Sequence, residues 1–167
     1  MITPRLITPR FMLREIKDED EEQLFLLRSD ELVHQFLFRP MATSIDDVRQ
    51  WREKVQQGAA KDAAIMWAID LNDLLIGTIC LWNISWPHAR AEIGYDLLPQ
   101  YHGRGVMQEI MPVVLRFGFE ELRMKSIVAS IHPGNIKSIR LVEKLGFRPE
   151  PHPEAGESSD LYFRIQK

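Results

Sequence analysis

The sequence predicts a mixed α/β fold: a central, mostly antiparallel twisted sheet flanked by helices. Three observations predict it. Three apolar, β-rich runs follow one another between residues 64 and 98 with polar turns or loops between them, the pattern of an antiparallel meander. A helix-length stretch then separates the third run from another apolar run at Ser126–Ile131, so one parallel crossover joins the sheet. The chain has 167 residues and 45% apolar content, which suits one domain, residues 1–167, around one core.

The elements follow in order. Leu6 to Ile16 reads as a strand interrupted by Pro9; proline cannot donate to a ladder, so an edge or bulged strand is expected. Asp18 caps an acidic-started helix to about Arg28, with carboxylates in the first turn where the helix dipole favours them. A short helix over Asp30–Leu37 is broken by Pro40. Ser44, with Asp47 three residues on, resembles a capping box and opens a helix through Val48, Trp51 and Val55 that Gly58 ends. Strands Ala64–Ile69 and Leu74–Trp82 flank the turn Asp70-Leu71-Asn72-Asp73. A looser loop, Asn83–Arg90, leads to strand Ala91–Leu98. A helix from about Arg104 to Leu122, strand Ser126–Ile131, and a helix Asn135–Leu145 ended by Gly146 come next. Short strands Phe147–Arg148 and Leu161–Ile165 close the chain around an extended Pro149-Glu150-Pro151-His152-Pro153 loop. A parallel pair in such a sheet is able to splay, and by analogy with other strand-end sites a ligand enters the gap.

Composition excludes several classes. A net charge of −3 with mixed signs gives no general attraction to nucleic acid and leaves room for an acidic pocket suited to a cationic amine. Cys80 is the single cysteine, so no internal disulfide forms, and its apolar strand context argues against a nucleophile. Met1-Ile2-Thr3-Pro4-Arg5 is not followed by an apolar signal core. No apolar run approaches the roughly 18 residues that span a bilayer. A cytoplasmic protein without membrane attachment is expected. His34, His88, His102, His132 and His152 lack metal-ligand spacing, so no metal is expected.

The chemistry starts at Gly103 and Gly105, between an apolar strand and a helix. Such a loop exposes backbone N–H groups, and the first amides of the helix have no partners within it. With the helix dipole they form an anion site suited to phosphate. Glycine serves where the backbone must approach a ligand or take positive φ, and Arg104 adds a charge-assisted contact. A dinucleotide fingerprint would need glycine where Gln108 stands, and no Walker A Gly-Lys pair occurs. A plain glycine-containing turn is the competing reading of these two residues.

The surrounding residues decide between them. Gln100-Tyr101-His102-Gly103-Arg104-Gly105 resembles the Gln/Arg-x-x-Gly-x-Gly/Ala signature of the GCN5-related N-acetyltransferase (GNAT) superfamily. Ala91-Glu92-Ile93-Gly94-Tyr95 upstream and Asn135 to Phe147 downstream (Asn-x-x-Ser, then Lys-x-Gly-Phe) resemble the ribosomal-protein alanine N-acetyltransferase (RimJ/RimL-like) branch. Thr8-Pro9-Arg10-Phe11-Met12-Leu13-Arg14 resembles its opening strand. The resemblance implies acetyl-CoA as cosubstrate. It implies pyrophosphate on the loop of Gln100, His102, Gly103, Arg104, Gly105, Val106 and Met107, and pantetheine paired along Asp96, Leu97 and Leu98. Asn135 and Ser138 would contact pantetheine and thiol, and Lys144 the adenine-ribose end. A backbone N–H near Leu97, freed by a bulge, would hold the oxyanion. Pro112 departs from the family's unbroken helix, and a kink is expected there.

An amine attacking a thioester needs its lone pair freed, because α-amines near pKa 8 and lysine amines near 10.4 are largely protonated at neutral pH. Glu92 is the candidate base; alternation puts Glu92, Gly94 and Asp96 on one face. A solvated carboxylate, or one that only binds a cationic substrate, is its bland alternative. Ser138 is the candidate acid for the departing thiolate, with Tyr95 as the second candidate. Simple helix capping by Asn135 is the alternative for that side chain. The acceptor is a protein N-terminal amine or a small-molecule amine such as a polyamine or antibiotic; a non-catalytic acyl-CoA-binding module is the reading from another class. Monomer and homodimer fit equally.

Overall fold

The apolar runs pair as their period-two pattern requires, and an eight-stranded sheet results. The computed structural model describes residues 2–153 and 158–167. The strands are β1 (Leu6–Ile7), β2 (Met12–Arg14), β3 (Ile65–Leu71), β4 (Leu74–Ser85), β5 (Arg90–Leu97), β6 (Ser126–Ile131), β7 (Arg148–Glu150) and β8 (Leu161–Gln166). Their order across the sheet is β1-β2-β3-β4-β5-β6-β8-β7. Among the described residues only β5 and β6 pair in parallel; the other neighbouring pairs are antiparallel. The helices are α1 (Glu21–Ser29), α2 (Glu31–His34), α3 (Ile45–Ala60), α4 (Val106–Glu120) and α5 (Ile136–Lys144).

Alternation divides the core in two. One face of the sheet, with Leu13, Trp67, Ile79, Leu81, Ile93 and Ile127, packs against Ile110, Met111 and Val114 of α4 and Val142 of α5. On the other, Ala68 and Leu75 pack with Leu24 and Leu27 of α1, Val33 of α2 and Val48 of α3.

The structure corrects several boundaries. The Pro9-interrupted strand is a hairpin: Leu6 pairs with Leu13 and Ile7 with Met12. Its turn is closed by Thr8 N–H donating to the Phe11 carbonyl at 2.9 Å. Asp18 does not cap α1; Asp18–Asp20 form a 3-10 turn capped by Lys17. The helix expected over Asp30–Leu37 is only the four residues of α2, capped by Asp30 accepting from Val33 N–H. The Ser44–Asp47 capping box is present in both directions, but α3 runs past Gly58 to Ala60. Asn72 and Asp73, both at positive φ, make the β3–β4 connection a tight two-residue turn. Helix α4 begins at Val106 and continues through Pro112 to Glu120. Pro112 and Gln108 both lie on the exposed face, where water can bond the carbonyl that proline leaves free.

One ion cluster ties the first strands together. Arg14 donates to Asp20 from Nη1 and Nη2 at 2.8 Å each and to Asp70 from Nε at 2.5 Å. All three side chains are nearly inaccessible to water. Burial pushes the Asp20 carboxyl up, but Arg14 and the Lys17 backbone N–H outweigh it and hold it below the usual carboxylate range.

Removing one member of a buried ion cluster leaves the others uncompensated, which costs about 3–5 kcal/mol. Arg14→Leu is expected to lose that much in urea unfolding at pH 7. Because the folded-state value of Asp20 is depressed, its contribution is complete above the unfolded value near 3.9 and fades as pH falls through the folded one. Asp20→Asn should flatten the fall in unfolding midpoint over that acid range.

Candidate active site

β5 and β6 pair at Arg90–Ser126, Ala91–Ile127 and Glu92–Val128, and then separate. β5 continues to Leu97 and β6 to Ile131, each with its other neighbour: β5 stays in register with β4 through Gly77–Leu97, and β6 with β8 through Ile131–Leu161. A side chain at Gly77 would collide with the Asp96 carbonyl oxygen, so the end of β5 lies hard against β4. Leu98 N–H donates to the Ile76 carbonyl at 2.9 Å. By alternation Leu97, Tyr95 and Ile93 turn their amides the other way, toward the gap. The register from Gly77–Leu97 to Trp82–Glu92 is continuous, and the shift lies between Trp82 and Ser85. The open edge therefore comes from strand divergence, and the bulge expected near Leu97 is absent from this ladder.

The gap opens into a cleft of about 860 Å³. Tyr95, Asp96 and Leu97 line it from β5; His102, Gly103, Gly105, Val106 and Met107 from the glycine loop and α4. Asn135, Ser138 and Lys144 line it from α5. Gly105 caps α4 at φ 71°, ψ 18°, a left-handed conformation that L side chains rarely take, and it leaves the first amides of α4 facing the cleft. His102 Nε2 bonds the Leu97 carbonyl at 2.7 Å, which ties the loop to the end of β5.

Four sequence candidates lie outside the lining. Leu98 is buried in the core on the other side of the sheet. Gln100 is exposed in the 3-10 turn Pro99–Tyr101. Arg104 is exposed, its guanidinium 5.9 Å from the Tyr101 ring centre. Glu92 faces the opposite side of β5 from Tyr95, as alternation requires. Conversely, Arg140 and Lys137 of α5 and Gln35, Phe36 and Leu37 after α2 also line the cleft. Arg140 was readable as the residue four before Lys144, on the same helix face; the 35–37 segment carried no local signal.

Tyr95 and Ser138 face each other across the cleft wall. The Tyr95 hydroxyl is buried and makes no hydrogen bond of normal geometry to the described residues. Burial raises its pKa, and the Ser138 side chain partly opposes that shift. Asn135 Oδ1 accepts from Ser138 N–H at 3.3 Å, so its oxygen caps α5 while its amide nitrogen is left for other partners.

On the other face, burial raises the Glu92 carboxyl above the usual range, against hydrogen bonding from Ser130 and Asn83. Asp96 is closed off: Arg39 Nη2 donates to it at 2.5 Å and Thr78 Oγ1 at 2.5 Å. Arg39 Nε donates to His34 Nε2 at 3.2 Å, which leaves His34 Nδ1–H for the Asp30 carbonyl. Arg28 is buried and lies 4.2 Å over the Trp51 ring, within electrostatic reach of Arg39 and Asp96. Burial first, then the repulsion of Arg39, brings its pKa down to about 10. Cys80 sits on this face, pushed up to about 12 chiefly by burial, so it stays a neutral thiol. No cluster of metal-ligating side chains occurs among the described residues.

The sequence profile of the acetyltransferase (GNAT) domain matches residues 10–148. The chain is 33% identical over 152 residues to the uncharacterized N-acetyltransferase YoaA of Bacillus subtilis, covering 88% of this chain and 84% of that protein. Its fold resembles the spermidine N-acetyltransferase of Vibrio cholerae solved with CoA and spermine, with a TM-score of 0.81, 22% identity, and 94% and 95% of the two chains covered. It also resembles Mycobacterium smegmatis RimJ solved with CoA-disulfide, with a TM-score of 0.82, 19% identity, and 98% and 86% covered.

The Tyr95 hydroxyl is buried without a partner at normal hydrogen-bond geometry among the described residues. Tyr95→Phe is expected to leave thermal stability unchanged or raise it by about 1 kcal/mol, since a buried unsatisfied polar group is removed. A loss of similar size would show that the hydroxyl is bonded within the folded chain.

Proposed function

Because the chain belongs to the GNAT acetyltransferase family and is an acetyl-CoA-dependent N-acetyltransferase, we propose that it delivers the acetyl group by direct attack to the N-terminal α-amine of a protein. The observation that carries this reading is the parting of β5 and β6 beyond Glu92–Val128. It opens a gap beside β5, on which alternation sets the carboxylate of Glu92 on one face and the hydroxyl of Tyr95, with Ser138 of α5, on the other.

The cleft's free backbone edge, its glycine loop and its orphaned Tyr95 hydroxyl fit acetyl-CoA, which supplies the acetyl thioester. The amides of Gly105, Val106 and Met107 hold pyrophosphate at the positive end of α4. Lys137, Arg140 and Lys144 line the same cleft and suit the phosphorylated adenine-ribose end. The Leu97 N–H, turned toward the gap, stabilises the developing oxyanion.

Glu92 takes the proton from the attacking amine, directly or through one water. Its raised pKa brings it nearer to that of the amine. Ser138 Oγ, with Tyr95 Oη beside it, gives a proton to the leaving thiolate at the start of α5, where the dipole favours negative charge. No covalent enzyme intermediate is formed; Cys80 is a half-buried, neutral thiol on the other face.

Electrostatics on the Glu92 face support a singly charged acceptor over a polyamine. Asp96 is paired with Arg39, and Arg28 adds a second positive charge beside that pair. A polycation would meet repulsion there.

The test is thiol release from acetyl-CoA across peptide N-termini, polyamines and aminoglycosides. Peptides are expected to turn over best, and faster release with polyamines would reverse the acceptor assignment. Glu92→Gln should lower kcat/KM by about 10²-fold or more and abolish an acid limb that lies above the ordinary carboxylate range, because the wild type loses its base as pH falls through the raised value. Unchanged turnover across pH would remove Glu92 as the base.

A further inference from the structure

Glu109 poses an electrostatic problem for a phosphate site. It lies in the first turn of α4, the helix whose N-terminus faces the cleft. A bare carboxylate there would repel a pyrophosphate. The carboxylate is ionised: burial pushes it up, but Thr8 and Arg10 outweigh that and hold it below the usual range.

The N-terminal hairpin turn supplies the answer. Thr8 Oγ1 donates to Glu109 Oε1 at 2.7 Å, Arg10 N–H to the same oxygen at 2.9 Å, and Arg10 Nε to Oε2 at 2.6 Å. The Arg10 guanidinium then reaches the glycine loop itself: Nη1 donates to the Arg104 carbonyl at 3.0 Å. Its Nη2 lies 3.7 Å from where a Cβ on Gly105 would stand. Arg10 is half exposed, so the core does not require it. One side chain thus cancels the charge on α4 and fixes the carbonyl between the two glycines that take positive φ.

We propose that Arg10 is a positioning residue for the cosubstrate's pyrophosphate, holding the glycine loop in its binding conformation while neutralising Glu109. This rests on the acetyl-CoA reading of the cleft. Lysine cannot replace it, because one ammonium does not span Glu109 and the Arg104 carbonyl with the fork geometry of a guanidinium.

The test is calorimetric titration of the full-length protein with CoA, together with acetyl-CoA kinetics and amide hydrogen exchange without ligand. Arg10→Ala is expected to weaken CoA binding and raise KM for acetyl-CoA about tenfold. Its kcat at saturating acetyl-CoA should stay within about twofold of wild type, and its melting temperature within a few degrees. Arg10→Lys should not restore the affinity. Adding Glu109→Gln to Arg10→Ala should recover part of it, because the unneutralised charge is then gone. Amides at 103–106 should exchange faster in Arg10→Ala, which reads the clamp independently of the cosubstrate. Unchanged CoA affinity in Arg10→Ala, or a fall in kcat and melting temperature that matches the affinity loss, overturns the proposal. A wild type that binds no CoA overturns the acetyl-CoA reading and with it the role assigned to Arg10, whatever the exchange data show of the clamp.

Discussion

β5 and β6 share three ladder pairs and then part, and the candidate site depends on that separation. Unpaired backbone in a sheet interior is costly unless a partner arrives. Here each strand keeps a full ladder on its outer side, β5 with β4 and β6 with β8, so the open edge is held by the rest of the sheet. The close approach at Gly77 keeps the end of β5 on β4. Two helices then start beside the opening, α4 from the glycine loop and α5 from Asn135. Their N-termini bring amide groups and positive dipole ends to a cleft already lined by β5.

Charge is distributed unevenly around this opening. On the cleft side, basic groups line α5 while Glu109 of α4 is neutralised from the N-terminal hairpin. On the other side, Glu92 keeps a raised pKa because burial outweighs its hydrogen bonds, and Asp96 is tied to Arg39 and Thr78. The Arg39–Asp96 pair ties the segment after α2 to β5, and Phe36 of that segment lies 5.4 Å from the His132 ring. A proton acceptor and a pair of proton donors are thereby kept on opposite faces of one strand.

Much of this was legible in the sequence because it is local. The meander over residues 64–98, the Ser44–Asp47 capping box and the crossover to Ser126–Ile131 follow from alternation, capping and turn chemistry. Gly105 in the left-handed region is what a glycine loop before a helix predicts. The hairpin at Pro9 was read as one strand; besides its local Thr8–Phe11 closure, its turn is held by Glu109, about a hundred positions away. Pro112 was expected to kink α4; the helix runs on through it from Val106 to Glu120, with Pro112 on the exposed side. Arg39–Asp96 joins residues 57 apart, just after the Gln35–Leu37 lining. Such pairings arise from tertiary packing, and no local pattern encodes them. Asn135 was left between capping and ligand contact; its oxygen caps, and its nitrogen is left for other partners.

Residue-resolved amide hydrogen exchange with and without CoA tests the central claim most directly, because the claim concerns which backbone groups the ligand covers. Occupation of the gap predicts CoA-dependent protection of the Tyr95 and Leu97 amides on β5 and of residues 105–107 at the start of α4, with β3 unchanged. Protection confined to other surfaces, with Leu97 and the glycine loop exchanging as in the free protein, would contradict it.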